Sequence, residues 1–363
     1  MTGVQTCALP ILEKHTTEDS ITRRPKRRGW RTVLSVLFLA FLIAGTYFIL
    51  RRSASYVMQE DSGSIFGTTY SIKYRYDKDL NKEILAELNK VDASLSMFNQ
   101  QSTLAKINRN ETSQTDDLLR EVFIKGQQIA KATDGAFDMT VGPLVNAWGF
   151  GFKQGIDVTD KQVDSLRAFV GYEKVKLVGD RLQKTDSRLM LDAGAIAKGY
   201  GVDRVARYLE SKGIKDFMVE IGGEIRVKGK NAKAESWTIG IQRPQDGAVE
   251  DGSNLQTVLR LSDVSLATSG NYMNFYYKNG RKYAHTIDPR TGKPVQHSLL
   301  SASVLAADCA TADAYATSFM VMGIEQAKKL LEKQPRLKAY FIYEDQGKMK
   351  VWYSPELERL IVK

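Results

Sequence analysis

The sequence predicts an α+β protein: mixed, largely antiparallel sheets flanked by helices, preceded by one N-terminal transmembrane helix. Three observations predict it. Strand patterns dominate the second half of the chain, without regular strand–helix–strand repeats. Two amphipathic stretches, 80–95 and 116–132, have the apolar spacing of helices packed by one side. One run, Val33 to Leu50, holds eighteen residues without a charge. The chain's 43% hydrophobic and 26% charged residues exclude wholesale disorder.

The uncharged run comes first. At about 1.5 Å per helical residue it reaches roughly 27 Å, enough for a thin bilayer. Arg23, Arg24, Lys26, Arg27, Arg28 and Arg31 precede it, and only Arg51 and Arg52 follow closely. This asymmetry makes residues 1–32 a basic cytoplasmic tail and 33–50 a single-pass anchor in the inner or cytoplasmic membrane. The body, 62–363, then lies outside the cytoplasm. A cleaved signal peptide is the alternative, given the small residues Ser53, Ala54 and Ser55, but the run is longer than the usual apolar core of such a peptide. Residues 1–11 fit neither a tail nor a domain and are left out of the fold reading. Of the net charge of +10, residues 1–55 supply nine Lys/Arg against three acids. The basic balance is therefore a topology signal, not a nucleic-acid footprint. Cys7 and Cys309 fall on opposite sides of the run, which makes a disulfide between them implausible, and no cysteine–histidine cluster suggests zinc.

In the body, residues 65–76 alternate Tyr70, Ile72, Tyr74 and Tyr76 with polar neighbours, the pattern of a half-buried strand. Within 116–132, Leu119, Val122, Phe123, Gln127 and Ala130 share one side. Gly142, Gly149, Gly151 and Gly155 mark the next stretch as a loop. Leu189–Leu191 reads as a short strand entering Asp192, and a helix follows from about Ala195 to Lys212, stopped by Gly213. Strands are expected at 217–221, 237–242, 256–261, 299–306, 338–343 and 348–353, interrupted by a helix over 311–332.

Several segments have the residue types of a site. From Asp192 to Gly201 a strand stops, small residues follow, and a helix begins with Lys198 in its first turn. Free amides and the positive end of the helix dipole suit an anion there, although the segment matches neither a Walker loop nor the dinucleotide glycine pattern. Tight strand–helix packing explains it equally well. Asp313 and Thr317, four apart, put a carboxylate and a hydroxyl on one helix face. Such a sparse oxygen pair suits Mg²⁺ only when phosphates and waters complete the shell. Alone it reads as an exposed face, or as the neighbour of a Thr311 N-cap. His285 sits where a strand meets the turn 289–292, a position for a proton carrier or for a structural histidine. His297 has no such context and is read as structural. Glycines in 219–224 and 267–272, and around Ala136, Phe137 and Asp138, allow close backbone approach to a ligand, or plain turns.

Taken in order, these segments resemble the ApbE family of flavin transferases. The resemblance rests on 66–72, 135–151, Asp192–Gly201, Glu220–Glu224, Thr268–Tyr272, His285–Pro289 and Ala312–Thr317, ahead of Val321–Gly323. It implies that FAD is a substrate contacted by Phe66, Ala136, Phe137, Asp138, Asp192 and Lys198. It also implies Mg²⁺ held by the Ala195 carbonyl and by Asp313 and Thr317, with His285 as base or orienting group. FMN would pass to a Thr or Ser hydroxyl of an acceptor protein, a membrane-associated redox subunit, and AMP would leave. Phe66 departs from the family, which commonly has Met there, and a spanning helix stands where many relatives are lipoproteins. A metal-dependent FAD pyrophosphatase, with water in place of the acceptor, remains open on the same residues. A non-catalytic flavin-binding surface protein is the third reading, disfavoured because storage needs no metal.

Overall fold

The computed structural model describes residues 28–54, 57–151, 158–244, 254–271, 275–278 and 281–362. Residues 1–27, with Cys7, His15 and the basic residues Arg23, Arg24, Lys26 and Arg27, lie outside them, as do Gly155 and Tyr272. The described residues fall into two units. The first contains one helix, Arg28–Ala54. Its segment Gly29–Ile49, 21 residues of mean hydropathy 2.3, is long and apolar enough to cross a membrane.

The body starts at Val57, earlier than the sequence pattern suggests, because 57–65 is a strand of its own. It pairs with Thr68–Tyr76 across a two-residue turn, so the single strand expected at 65–76 is the second arm of a hairpin. Phe66 and Gly67 form the turn, both with positive φ (52° and 75°). For Phe66 this costs about 1–2 kcal/mol.

The central sheet has eight strands, in the order Val57–Ile65, Thr68–Tyr76, Phe217–Ile221, Glu224–Lys228, Val264–Gly270, Leu299–Ala306, Lys338–Asp345 and Lys348–Tyr353. Every neighbouring pair is antiparallel. Successive residues along its strands enter different cores: Ala267, Val304 and Phe341 face one, Leu266, Leu305 and Ile342 another. Both faces are thus covered. A two-stranded hairpin, Trp237–Gln242 with Leu255–Leu261, packs on one side.

Helices Ala197–Ser211 and Cys309–Met322 cover the other. The second is buried nearly all round, as its run of small and apolar residues demands, and Asp313 is its only charge. Its N-cap is Asp308, which accepts the Thr311 amide at 2.9 Å, so Thr311 is not the cap. Gly323, at φ +74, separates it from Ile324–Lys333 and splits the expected 311–332 helix in two. The two sheet-covering helices approach so closely at Gly199 that a Cβ there would sit 2.4 Å from the Cys309 carbonyl oxygen.

Two further expectations are corrected. The glycine-rich stretch after Asp138 contains a short helix, Gly142–Ala147, with Pro143 in its first turn. Leu189–Leu191 is not a strand: the Asn108 side chain bonds both the amide and the carbonyl of Leu191 at 2.8 Å, replacing a ladder partner.

Candidate active site

One cavity of about 460 Å³ opens where the sheet, the two helices and the loops 136–150 and 285–289 meet. Ala136, Phe137, Asp138, Asp192, Ala195, Lys198, His285, Asp313 and Thr317 all line it. Phe66 lines an adjoining cavity of about 490 Å³ that shares Met97, Phe98, Gly194 and Lys198 with the first. A larger depression of about 720 Å³ beside the C-terminal turn, lined by Arg260, Glu356 and Arg359, gathers no comparable set.

Each side chain is held from its own element. Asp138 precedes a 3-10 turn and accepts from the Thr140 amide and hydroxyl, both at 2.7 Å. Burial pushes its carboxyl up to about 6, against the pull of those bonds and of the Tyr172 amide. Asp192 accepts the Gly194 amide at 2.7 Å, and burial raises its carboxyl too. Lys198 reaches Glu224 Oε1 at 2.7 Å. Burial opposes its charge, but Asp313 and Glu224 outweigh this and raise it above the ordinary lysine value. Asp313, 4% exposed, accepts the Gly199 amide at 3.0 Å. His285 is half-buried, and its ring stands edge-on to Phe150, 6.4 Å between centroids. Phe150 packs on a small apolar cluster in which Leu144 of the helix Gly142–Ala147, Val163 of the helix Asp160–Arg167 and Ile287 hold segment 142–151 against the 285–289 loop. His297 is turned to structure: Nε2 meets the Met320 carbonyl at 2.7 Å while Nδ1 accepts the Leu299 amide.

Residues 66–341 match the ApbE family. The chain belongs to that family. The FAD:protein FMN transferase of Vibrio cholerae serotype O1 is 40% identical over 286 residues, 75% of this chain and 83% of that protein. The Escherichia coli K12 enzyme of the same name is 32% identical over 293 residues, covering 78% and 82%. Among solved structures, the flavin transferase ApbE from Vibrio cholerae superposes with a TM-score of 0.76 at 36% identity, covering 84% of this chain and 99% of that one. The flavinyl transferase ApbE of Pseudomonas stutzeri gives 0.75 at 30% identity, covering 84% and 97%.

The donor set of this ApbE chain fits a small hard cation. The Gly199 amide donates to Asp313 and not to the Ala195 carbonyl four residues back, which leaves that carbonyl off the helical ladder. One carboxylate, one hydroxyl and one carbonyl are too few for a cage of protein ligands. No group of three or more acidic, histidine or cysteine side chains able to hold a metal exists among the described residues. Such a sparse set suits Mg²⁺ completed by substrate phosphates and water.

Among the lining residues to which the sequence assigns no role, three stand out. Met97 and Phe98 follow a helix end with no periodic signal, yet border both cavities, and Phe98 is 68% exposed. Glu224 lies in a glycine segment already marked, directly after Gly222 and Gly223; an acid opening a strand at such a turn is the signal that could have found it.

Asp138 gives a pH test. Its folded value lies above the unfolded one, so the folded state keeps the proton longer and loses stability as pH rises from 3.8 towards 6. Asp138→Asn removes that dependence while keeping an acceptor for Thr140. The stability of the variant relative to wild type should improve by about 2 kcal/mol between roughly pH 4.5 and pH 7.5. Loss of the Tyr172 bond adds only a constant offset. Parallel denaturation curves that keep the same separation at both pH values would remove the buried carboxyl's titration.

Proposed function

We propose that this chain is an enzyme that moves FMN from FAD to a Thr or Ser hydroxyl of a partner protein, using Mg²⁺ and releasing AMP. The observation that carries it is the convergence of Lys198, His285, Asp313 and Thr317, from three separate elements, on one cavity. Relatives that bear this activity's name at 40% and 32% identity support the reading.

Mg²⁺ held by Asp313, Thr317 and the Ala195 carbonyl would neutralise charge on the pyrophosphate and orient it. Lys198, kept cationic by its carboxylate neighbours, adds a fixed positive charge where the phosphates lie. The acceptor oxygen bonds to the FMN phosphorus, the bridging P–O bond breaks with its electrons passing to the AMP phosphate, and the hydroxyl proton goes to His285. Ala136, Phe137, Asp138, Asp192 and, from the adjoining cavity, Phe66 bind the dinucleotide. Val141, Val145, Phe150 and Ile287 form an apolar wall that limits water, the competitor that would make the reaction a hydrolysis. The full chain in detergent, mixed with FAD, Mg²⁺ and a candidate acceptor, should add one FMN mass to the acceptor and release AMP. Free FMN with an unmodified acceptor would make it a pyrophosphatase instead.

The Arg28–Ala54 helix serves as a single-pass anchor, and the body faces away from the cytoplasm towards a membrane-associated redox subunit as acceptor. Six basic residues between Arg23 and Arg31 against two just after Leu50 support this orientation. A C-terminal alkaline phosphatase fusion should be active in the membrane fraction. A reporter active only in the cytoplasm would reverse the topology, and a soluble form starting near residue 53 would mean cleavage.

A further inference from the structure

Glu224 opens the strand Glu224–Lys228 directly after a two-residue turn, Gly222 and Gly223, at φ +58 and +89. The turn brings its side chain to the cavity wall, where Glu224 is only 3% exposed. Oε1 takes the Lys198 ammonium at 2.7 Å. Oε2 is buried and has no hydrogen-bond partner among the described residues. Ser265, Ser301 and Arg204 hold the other such atoms, and none of them lines this cavity. A buried carboxylate oxygen left unmatched carries a desolvation penalty that no contact in the protein offsets. A polar atom in that state on the wall of a binding cavity calls for a ligand donor.

We propose that Glu224 Oε2 accepts a hydrogen bond from a sugar hydroxyl of FAD adjacent to the pyrophosphate; this rests on the FAD reading above. Burial raises the Glu224 carboxyl, but the Lys198 ammonium at 2.7 Å opposes this and favours the charged form; an ionised Oε2 repels phosphate and takes an N–H or O–H from the bound dinucleotide. Lys198 places Glu224 one side chain away from the phosphates. The donors that FAD carries within that reach are hydroxyls of the ribityl chain and of the adenosine ribose. Its flavin imide and adenine amino groups lie at the two far ends. Glu224 therefore acts twice, orienting the lysine through one oxygen and fixing the sugar through the other.

The test uses the full chain in detergent with Mg²⁺ and no acceptor, and measures dissociation constants by flavin fluorescence. FAD is compared with analogues that each lack one hydroxyl of the ribityl chain or of the ribose. Wild type should bind one analogue about tenfold or more weakly than FAD, and the position of that hydroxyl identifies the sugar. Glu224→Gln keeps an acceptor for Lys198 but loses the charged one, so it should bind that analogue and FAD alike. Wild type binding every analogue as tightly as FAD overturns the proposal without any variant, and so do equal losses in wild type and Glu224→Gln. Failure of wild type to bind FAD at all overturns the FAD reading itself.

Discussion

Asp313→Ala is expected to abolish Mg²⁺-dependent transfer, a loss of roughly 10³-fold or more. The side chain carries the only charge on a helix buried nearly all round, and a charge is retained there for what it binds. It also accepts the Gly199 amide, so alanine removes a structural bond together with the charge. Asp313→Asn separates the two: it can still take the amide, should fold like wild type, and should still fail to transfer. Thr317→Ala loses a neutral ligand and should be milder, with excess Mg²⁺ restoring part of its turnover. Titrating Mg²⁺ into the three variants, with and without FAD, reads both effects. Normal Mg²⁺ dependence in Asp313→Asn would move the metal elsewhere.

His285→Ala should slow transfer by about 10²–10⁴-fold while FAD and Mg²⁺ remain bound. The ring stands where the 285–289 loop meets the cavity, edge-on to Phe150, and lies on no element that carries the proposed metal ligands. Single-turnover rates of the variant measured from about pH 6 to about pH 9 should stay below wild type throughout that range. Wild-type rates across that range would leave His285 with a purely structural role.

The long regular elements were legible because their patterns are local. The 80–95 and 116–132 helices appear as Asn81–Leu95 and Asp117–Ala132, and the strands at 217–221, 237–242, 299–306 and 348–353 stand where the sequence places them. Three strands of the central sheet give no usable signal. Val57–Ile65 is a polar edge strand, mostly exposed; Val264–Gly270 is built of small residues; Glu224–Lys228 is short and charged. Leu189 and Leu191 looked like a strand because both are fully buried, but a side chain supplies the backbone's partners instead. The site was legible only as fragments. Asp313 with Thr317, and Asp192 through Lys198, are each weak in spacing, and nothing in a linear pattern says that they meet. Family resemblance joined them. Glu224 escaped because its meaning depends on an oxygen that only packing leaves without a partner.

The strand order has a kinetic consequence. Thr68–Tyr76 finds its inner neighbour in Phe217–Ile221, with about 140 residues of intervening chain, whereas from Phe217–Ile221 onward the strands join the central sheet in chain order. Closing so distant a pair gives up loop entropy before any contact repays it, which slows formation of the sheet. Because the residues lining the cavity run from Thr68 to Val321, the cavity is complete only once nearly the whole body has been made, and its walls are drawn from both ends of the fold.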